Sequence, residues 1–254
     1  MHDSDISAVL ATWAYDPGDS LQIRRIEGLD GNQRIQLRVD LGLLQMHSVG
    51  RPDGTRPYGA ESLLDHFRDA AERHRHVHGW YEGFELHPEA CRELQRESLQ
   101  YYHRRIAFLA LQEYGRALAD ADHNLEILDL LKAFAVRRDD WLVMEQYRPF
   151  IVSQRVQAVA LQHLSREDVR GALLAAEEGI RALREIYAEQ DRLDEWEESA
   201  EWESLQDLRR KLQARYQVSH RQRLQLLLDE AQRREEPGLA ADLRAQLRRL
   251  DPEL

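Results

Sequence analysis

Three histidines, His66, His74 and His78, fall in a stretch where Leu63, Leu64, Phe67, Ala70 and Ala71 recur with helical period. His74 and His78 stand four residues apart and would share a helix face, with His66 two turns earlier, which is the spacing of imidazole ligands to a transition metal. No HExxH pattern accompanies them and no carboxylate is placed as a base, so the competing reading is a solvated helix end that frays at Gly79. Cys91 follows His87 by four residues, but Pro88 interrupts the shared face that a thiolate–imidazole pair would need, and a buried thiol is the expectation. Residues 50–59, GRPDGTRPYG, hold three glycines and two prolines and display Arg51, Asp53 and Arg56. Two arginines on a stiff loop can receive a carboxylate or phosphate; alternatively Asp53 pairs with an arginine and the loop is a connector. Nucleophile elbows, phosphate loops, zinc motifs and paired carboxylates with usable spacing are missing, so no catalytic residue, metal ligand or cofactor is assigned and a non-enzyme is expected.

These residues must be positioned by a chain of 254 residues, enough for one large or two modest domains with a real core. Apolar residues make up 43% and charged residues 32%, a balance that suits helices with wide solvated faces. The net charge of −11 repels phosphate backbones, which disfavours nucleic acid as a global partner. A single cysteine excludes an internal disulfide and fits a reducing compartment. The start, MHDSDISAVLATW, carries acids where a secretory signal has Lys or Arg, and no run approaches a membrane span, so a cytoplasmic protein is expected.

Ile23–Ile26 and Arg34–Leu44 read as two strands about Gly28-Leu29-Asp30-Gly31-Asn32. Ile35, Leu37, Val39 and Leu41 alternate with Gln36, Arg38 and Asp40. A lone hairpin is marginal in water, so it must pack on downstream helices or gain a strand. The Gly79-Trp80-Tyr81-Glu82-Gly83-Phe84 turn is expected to anchor the core through its aromatics; the competing reading is an exposed ligand surface.

From Pro88 the chain reads as nearly continuous helix. In residues 101–130, Tyr101, Phe108, Leu111, Tyr114, Ala117, Leu118 and Leu125 form an amphipathic pair with a break at Gln112-Glu113. This resembles the tetratricopeptide repeat, with Tyr101, Phe108, Tyr114 and Ala117 at its aromatic and small positions. It departs from that pattern at Arg105 and Asn124. A second copy spans residues 153–187, where Val156, Ala160, Val169, Ala172, Ala176 and Ile180 stand at the apolar positions and Ser165 with Asp168 forms a capping-box variant. The resemblance implies a concave binding face, for which His103, Arg104, Arg105 and Asn124 are candidates; the competing reading is a variant packing solution.

Glu189–Glu203 holds eight acids against Arg192 alone, and from Leu205 the sign flips with Arg209, Arg210, Lys211, Arg215, Arg221 and Arg223. This reads as a charged hairpin or as one long helix. Gln225–Leu250 follows as two short helical patterns about Pro237-Gly238, with Leu227, Ala231, Ala240, Leu243, Leu247 and Leu250 expected along one seam. The stretch resembles the UVR motif, the helical hairpin shared by the excision-repair proteins UvrB and UvrC and by some partners of bacterial Clp proteases. Leu227, Ala231, Glu235-Glu236, Ala240-Ala241, Leu243-Arg244 and Leu247 carry the resemblance, while Pro237, Gly238 and Ala245 depart from it. It implies a docking piece for another protein.

The expected fold is mainly α: a β-containing segment with the GRPDG loop at 1–60, a tetratricopeptide-like helical body at 61–190, and a charged helix with a UVR-like αα-hairpin at 191–254. The expected function is a non-catalytic adaptor that binds a protein partner, or a second copy of itself, through Leu227, Ala231, Ala240, Leu243, Arg244, Leu247 and Arg248. The alternatives are a repair-associated nucleic-acid-binding accessory, and a metal or phosphate enzyme using His66, His74, His78 and the 50–59 loop.

Overall fold

The computed structural model describes residues 5–19 and 21–250; the first residues of the stretch read for a secretory signal lie outside these. The protein is mainly helical with a small antiparallel sheet near its start. It divides into two compact units, Met1–Ala158 and Val159–Leu254.

In the first unit a short helix α1 (Ser7–Ala11) precedes strands β1 (Gln22–Glu27), β2 (Gln33–Val39) and β3 (Gly42–His47), in the order β1-β2-β3. The expected second strand is therefore two. The run from Arg34 turns at Asp40-Leu41, leaving Leu41 exposed, and returns so that Leu37 pairs with Leu44 and Ile35 with Met46. That supplies the extra strand a lone hairpin lacks. Ile23, Ile35, Leu37, Leu44 and Met46 share one face and pack on Ala107, Phe108, Ala117 and Ala158. The opposite face is polar yet covered. Arg24 donates to Gln36 at 2.7 Å, Gln36 donates to Gln45 at 2.9 Å, and the Trp13 ring lies 4.3 Å from the Arg24 guanidinium.

Helix α2 (Leu63–His78) starts at Ser62, whose hydroxyl accepts the Asp65 N–H, and stops at Gly79, which takes the left-handed conformation at φ 85°. Helix α3 (Pro88–Ala110) opens on proline, which needs no intrahelical donor there. It pairs with α4 (Tyr114–Phe134), and α5 (Arg138–Glu145) closes against both. Leu63, Leu64, Leu86, Cys91, Leu94, Ile127 and Leu131 form the core between α2, α3 and α4. The aromatic turn is only partly core. Phe84 packs inward, whereas Trp80 is 63% exposed and Tyr81 turns its hydroxyl to Glu72.

Helix α6 (Arg148–Ser165) carries Pro149 in its first turn, so this proline opens a helix rather than closing the preceding one. Its last turns begin the second unit, followed by α7 (Val169–Glu189), a 3-10 turn at Leu193–Glu198, α8 (Ala200–Arg233) and α9 (Pro237–Leu250). The cap of α7 is Asp168, which accepts the Gly171 N–H at 2.8 Å; Ser165 instead donates to Gln162. The acid-to-base switch is one 34-residue helix, α8. Its first half packs Leu208, Leu212 and Tyr216 on Ala160, Ala172, Leu173 and Ala176, and its second half packs on α9. Residues 213–223 between these halves contain no buried side chain.

Candidate functional site

The 50–59 loop is built into the fold from below. Glu97 of α3 is fully buried, and its carboxylate accepts the Leu63 N–H at 2.7 Å and the Leu64 N–H at 3.1 Å. These are orphan donors of the first turn of α2, where the helix dipole favours an anion. Arg51 Nε lies 2.9 Å from Glu97 as an ion pair, and His123 Nε2 lies 3.1 Å from it on the α4 side. Tyr101, one turn after Glu97, stacks on the His123 ring at 3.6 Å between centroids. One turn further along α3, Arg104 clamps Asp120 and also donates to the carbonyls of His47 and Gly50.

The loop residues are consumed by this network. Arg51 Nη1 donates to Thr55 at 2.6 Å, and Asp53 accepts from Thr55 and from Gln100. Burial alone would raise the Asp53 carboxyl, but those donors and Arg51 hold it below the ordinary range. Gly54, at φ 75°, lies under the His47 ring so closely that an added Cβ would fall 2.3 Å from Nε2; glycine is required there on both counts. Arg56 pairs with Glu61 in solvent. Arg51 thus points into the protein and Arg56 away from it, so the two arginines of the anion-binding reading are split.

The three histidines do not converge. His66 stacks on Tyr58 at 4.2 Å, while His74 meets His78 and Phe84 and places Nε2 3.0 Å from the Glu82 carbonyl. Among the described residues no group of three or more His, Cys, Asp or Glu is arranged to hold a metal ion. Cys91 is sealed from solvent, its thiol is pushed up to about 11 by burial, and its sulfur faces the Leu86 carbonyl at 3.5 Å. A thiol held neutral is a poor nucleophile.

The four polar residues proposed for a concave face have separate fates. Arg104, Arg105 and Asn124 are buried between helices, and burial lowers the His103 imidazole. Arg105 donates to Gln154 at 2.8 Å and lies 5.5 Å from the Tyr102 ring centre. Glu97, Asp120 and His123 were missed by motif reading. Their only signal is polarity at core-facing helical positions, and nothing local says which partners they meet.

In the second unit the terminal hairpin closes on itself. Leu224, Leu228, Ala231, Ala240 and Leu243 are buried together with Leu247 against them. The expected seam holds at Ala231, Ala240, Leu243 and Leu247 and fails at Leu227 and Leu250. Leu227 is 44% exposed and Leu228 takes its place, while Leu250 lies at the open end, 42% exposed. The turn is not Pro237-Gly238. Both are helical, proline at the first position of α9, and the chain reverses at Glu235, φ 59°. Arg244 and Arg248 are exposed. No known protein family, curated protein or solved structure matches this chain.

Proposed function

We propose that this chain works by binding another protein through its helical surfaces, with the α8–α9 hairpin as the docking end and no bond chemistry of its own. The observation that carries the reading is that the hairpin seals one apolar seam internally and still presents Leu226, Leu227, Leu239 and Leu250 to solvent. Leu227 lies three residues after Leu224 and four before Ala231, so it flanks the seam; Leu250 extends it three residues past Leu247. Leu208 to Leu250 carries eleven Lys and Arg against five acids, although the whole chain is at −11. The complementary partner is an acidic helix or groove with apolar anchors, steered by the arginines and held by the leucines. The UVR-like residue pattern of this hairpin and the tetratricopeptide-like residue pattern of residues 101–130 are in line with the same reading.

The test is crosslinking and mass spectrometry of the full chain in native cells, beside L227E/L239E and R244E/R248E variants. One stoichiometric partner lost in both variants, with unchanged circular dichroism, is the expected result. A partner retained by both variants removes the hairpin from the docking role.

A further inference from the structure

The first unit holds an arginine-lined recess. Arg25 of β1, Arg34 of β2 and Arg116 in the first turn of α4 line one recess of about 470 Å³, completed by Gly31, Asn32, Gln33, His47, Ser48 and Val49. Arginines from three elements line one hollow in a chain that is acidic as a whole. We propose that this recess binds a small organic phosphate monoester.

The arginines are held in place by their neighbours. Arg34 is nearly buried, donates to Asp30 at 2.6 Å, and is backed by the tight turn at Gly28–Asn32. Glu113 lies between Arg25 and Arg116, pairing with both, the second at 3.0 Å. The Arg116 guanidinium also lies 5.5 Å from the Phe108 ring centre. The far wall is held by the network already described, since Arg104 grips the His47 carbonyl and the His47 ring packs on Gly54. Such fixed donors lose little freedom when a ligand arrives.

Three guanidiniums face two carboxylates, so one positive charge is uncompensated. Each guanidinium has five N–H donors in a planar fork, and a single shared carboxylate occupies only part of those on Arg25 and Arg116. A phosphate monoester brings close to two negative charges and three terminal oxygens, one charge and one oxygen more than a carboxylate has to share between the two remaining forks. The recess is larger than one phosphate needs and falls within the roughly 300–1,000 Å³ of small-molecule sites, so the phosphate is attached to a larger group. This proposal does not rest on the docking reading, because recess and hairpin lie in different units.

The test is titration calorimetry of the full chain at constant ionic strength with ribose 5-phosphate, inorganic phosphate and ribose. Saturable binding is expected for both phosphates, tighter for the sugar phosphate, and none for ribose. Arg25→Gln with Arg116→Gln should weaken binding at least about tenfold, the effect of losing one charge-assisted fork. Glu113→Gln, which removes the competing carboxylate, should tighten it, a gain that misfolding cannot imitate. Absence of a saturable phosphate signal, equal binding of ribose, or a double variant that binds like the parent overturns the proposal.

Discussion

Arg104 holds Asp120 through two parallel hydrogen bonds, Nε to Oδ2 at 2.9 Å and Nη2 to Oδ1 at 2.7 Å, with both side chains almost wholly removed from solvent. Burial pushes the Asp120 carboxyl above the ordinary aspartate range, and the Arg104 hydrogen bonds counter this only in part. Arg104→Met leaves that carboxylate buried without its partner and should cost about 3–5 kcal/mol in urea unfolding, much of it regained on adding Asp120→Leu. A carboxyl whose folded value is raised binds more protons in the native state than in the unfolded chain, so stability falls as pH rises through that window. Removing Arg104 widens the window upward, and the variant should lose more stability at pH 8 than at pH 5.

Four chain reversals share one design. At Gln112, Glu167, Asp191 and Glu235 a residue other than glycine sits at φ between 55° and 60°. In each case the next N–H reaches the carbonyl five residues back: Glu113 to Phe108, Asp168 to His163, Arg192 to Tyr187 and Glu236 to Ala231. This is the helix-ending motif that usually takes glycine. Gln112→Gly, Glu167→Gly and Glu235→Gly should each stabilise the protein and so raise its melting temperature, the gain at Gln112 being about 0.5–1 kcal/mol. The effects should add, because each turn closes its own local hydrogen bond.

How much of this was legible in the sequence depends on the range of the interaction. The α3–α4 break at Gln112-Glu113, the end of α2 at Gly79 and the α9 half of the terminal seam follow from local periodicity and turn chemistry, and the structure has all three. Leu224 to Leu228 offers four leucines in five residues, so periodicity alone does not choose between Leu227 and Leu228; contact with Ala240 and Leu243 does. Pro237 looked like a turn because proline ends helices, but it also starts them. The network about Glu97 was not readable at all. Its partners lie at 51, 63, 64 and 123, and no local pattern joins an acid in one helix to the amide groups that open another.

Arg105 is the costly residue of the first unit. It is 1% exposed, and its Nη1 and Nη2 have no hydrogen-bond partner among the described residues. Burial brings its guanidinium down to about 10, against a smaller pull upward from Asp120. Arg105→Met keeps the stem packing, removes the charge and leaves Gln154, which water can reach, to find another donor. The variant should be more stable by about 1–3 kcal/mol in urea unfolding. A loss of stability would show that the guanidinium is better satisfied than its geometry allows.

Asp168 gives a pH signature to the start of α7. The Gly171 N–H, and then His163 at 2.8 Å, hold its carboxyl below the ordinary aspartate range. A depressed folded value means the stabilisation is complete above the unfolded value and is lost as pH falls through the folded one. Asp168→Asn retains an oxygen able to cap the helix but removes the charge. The variant should therefore be less stable than the parent at pH 7, and the difference should close as pH falls below the ordinary aspartate range and through the lowered folded value.

The placement of the terminal seam is tested by two leucines on neighbouring faces. Leu243 is 5% exposed against Leu224, Leu228, Ala231 and Ala240, whereas Leu227, one residue away from the seam, is 44% exposed. Leu243→Ala removes buried methyl groups and leaves a cavity between two short helical segments, which should cost about 2–4 kcal/mol. Leu227→Ala removes atoms that water already reaches and should change stability by less than about 0.5 kcal/mol. Hydrogen exchange over residues 224–250 reads the two variants directly: protection should collapse in Leu243→Ala and persist in Leu227→Ala. Equal loss in both would mean that α8 presents its other leucine face to α9, and would remove the exposed residues on which the docking reading stands.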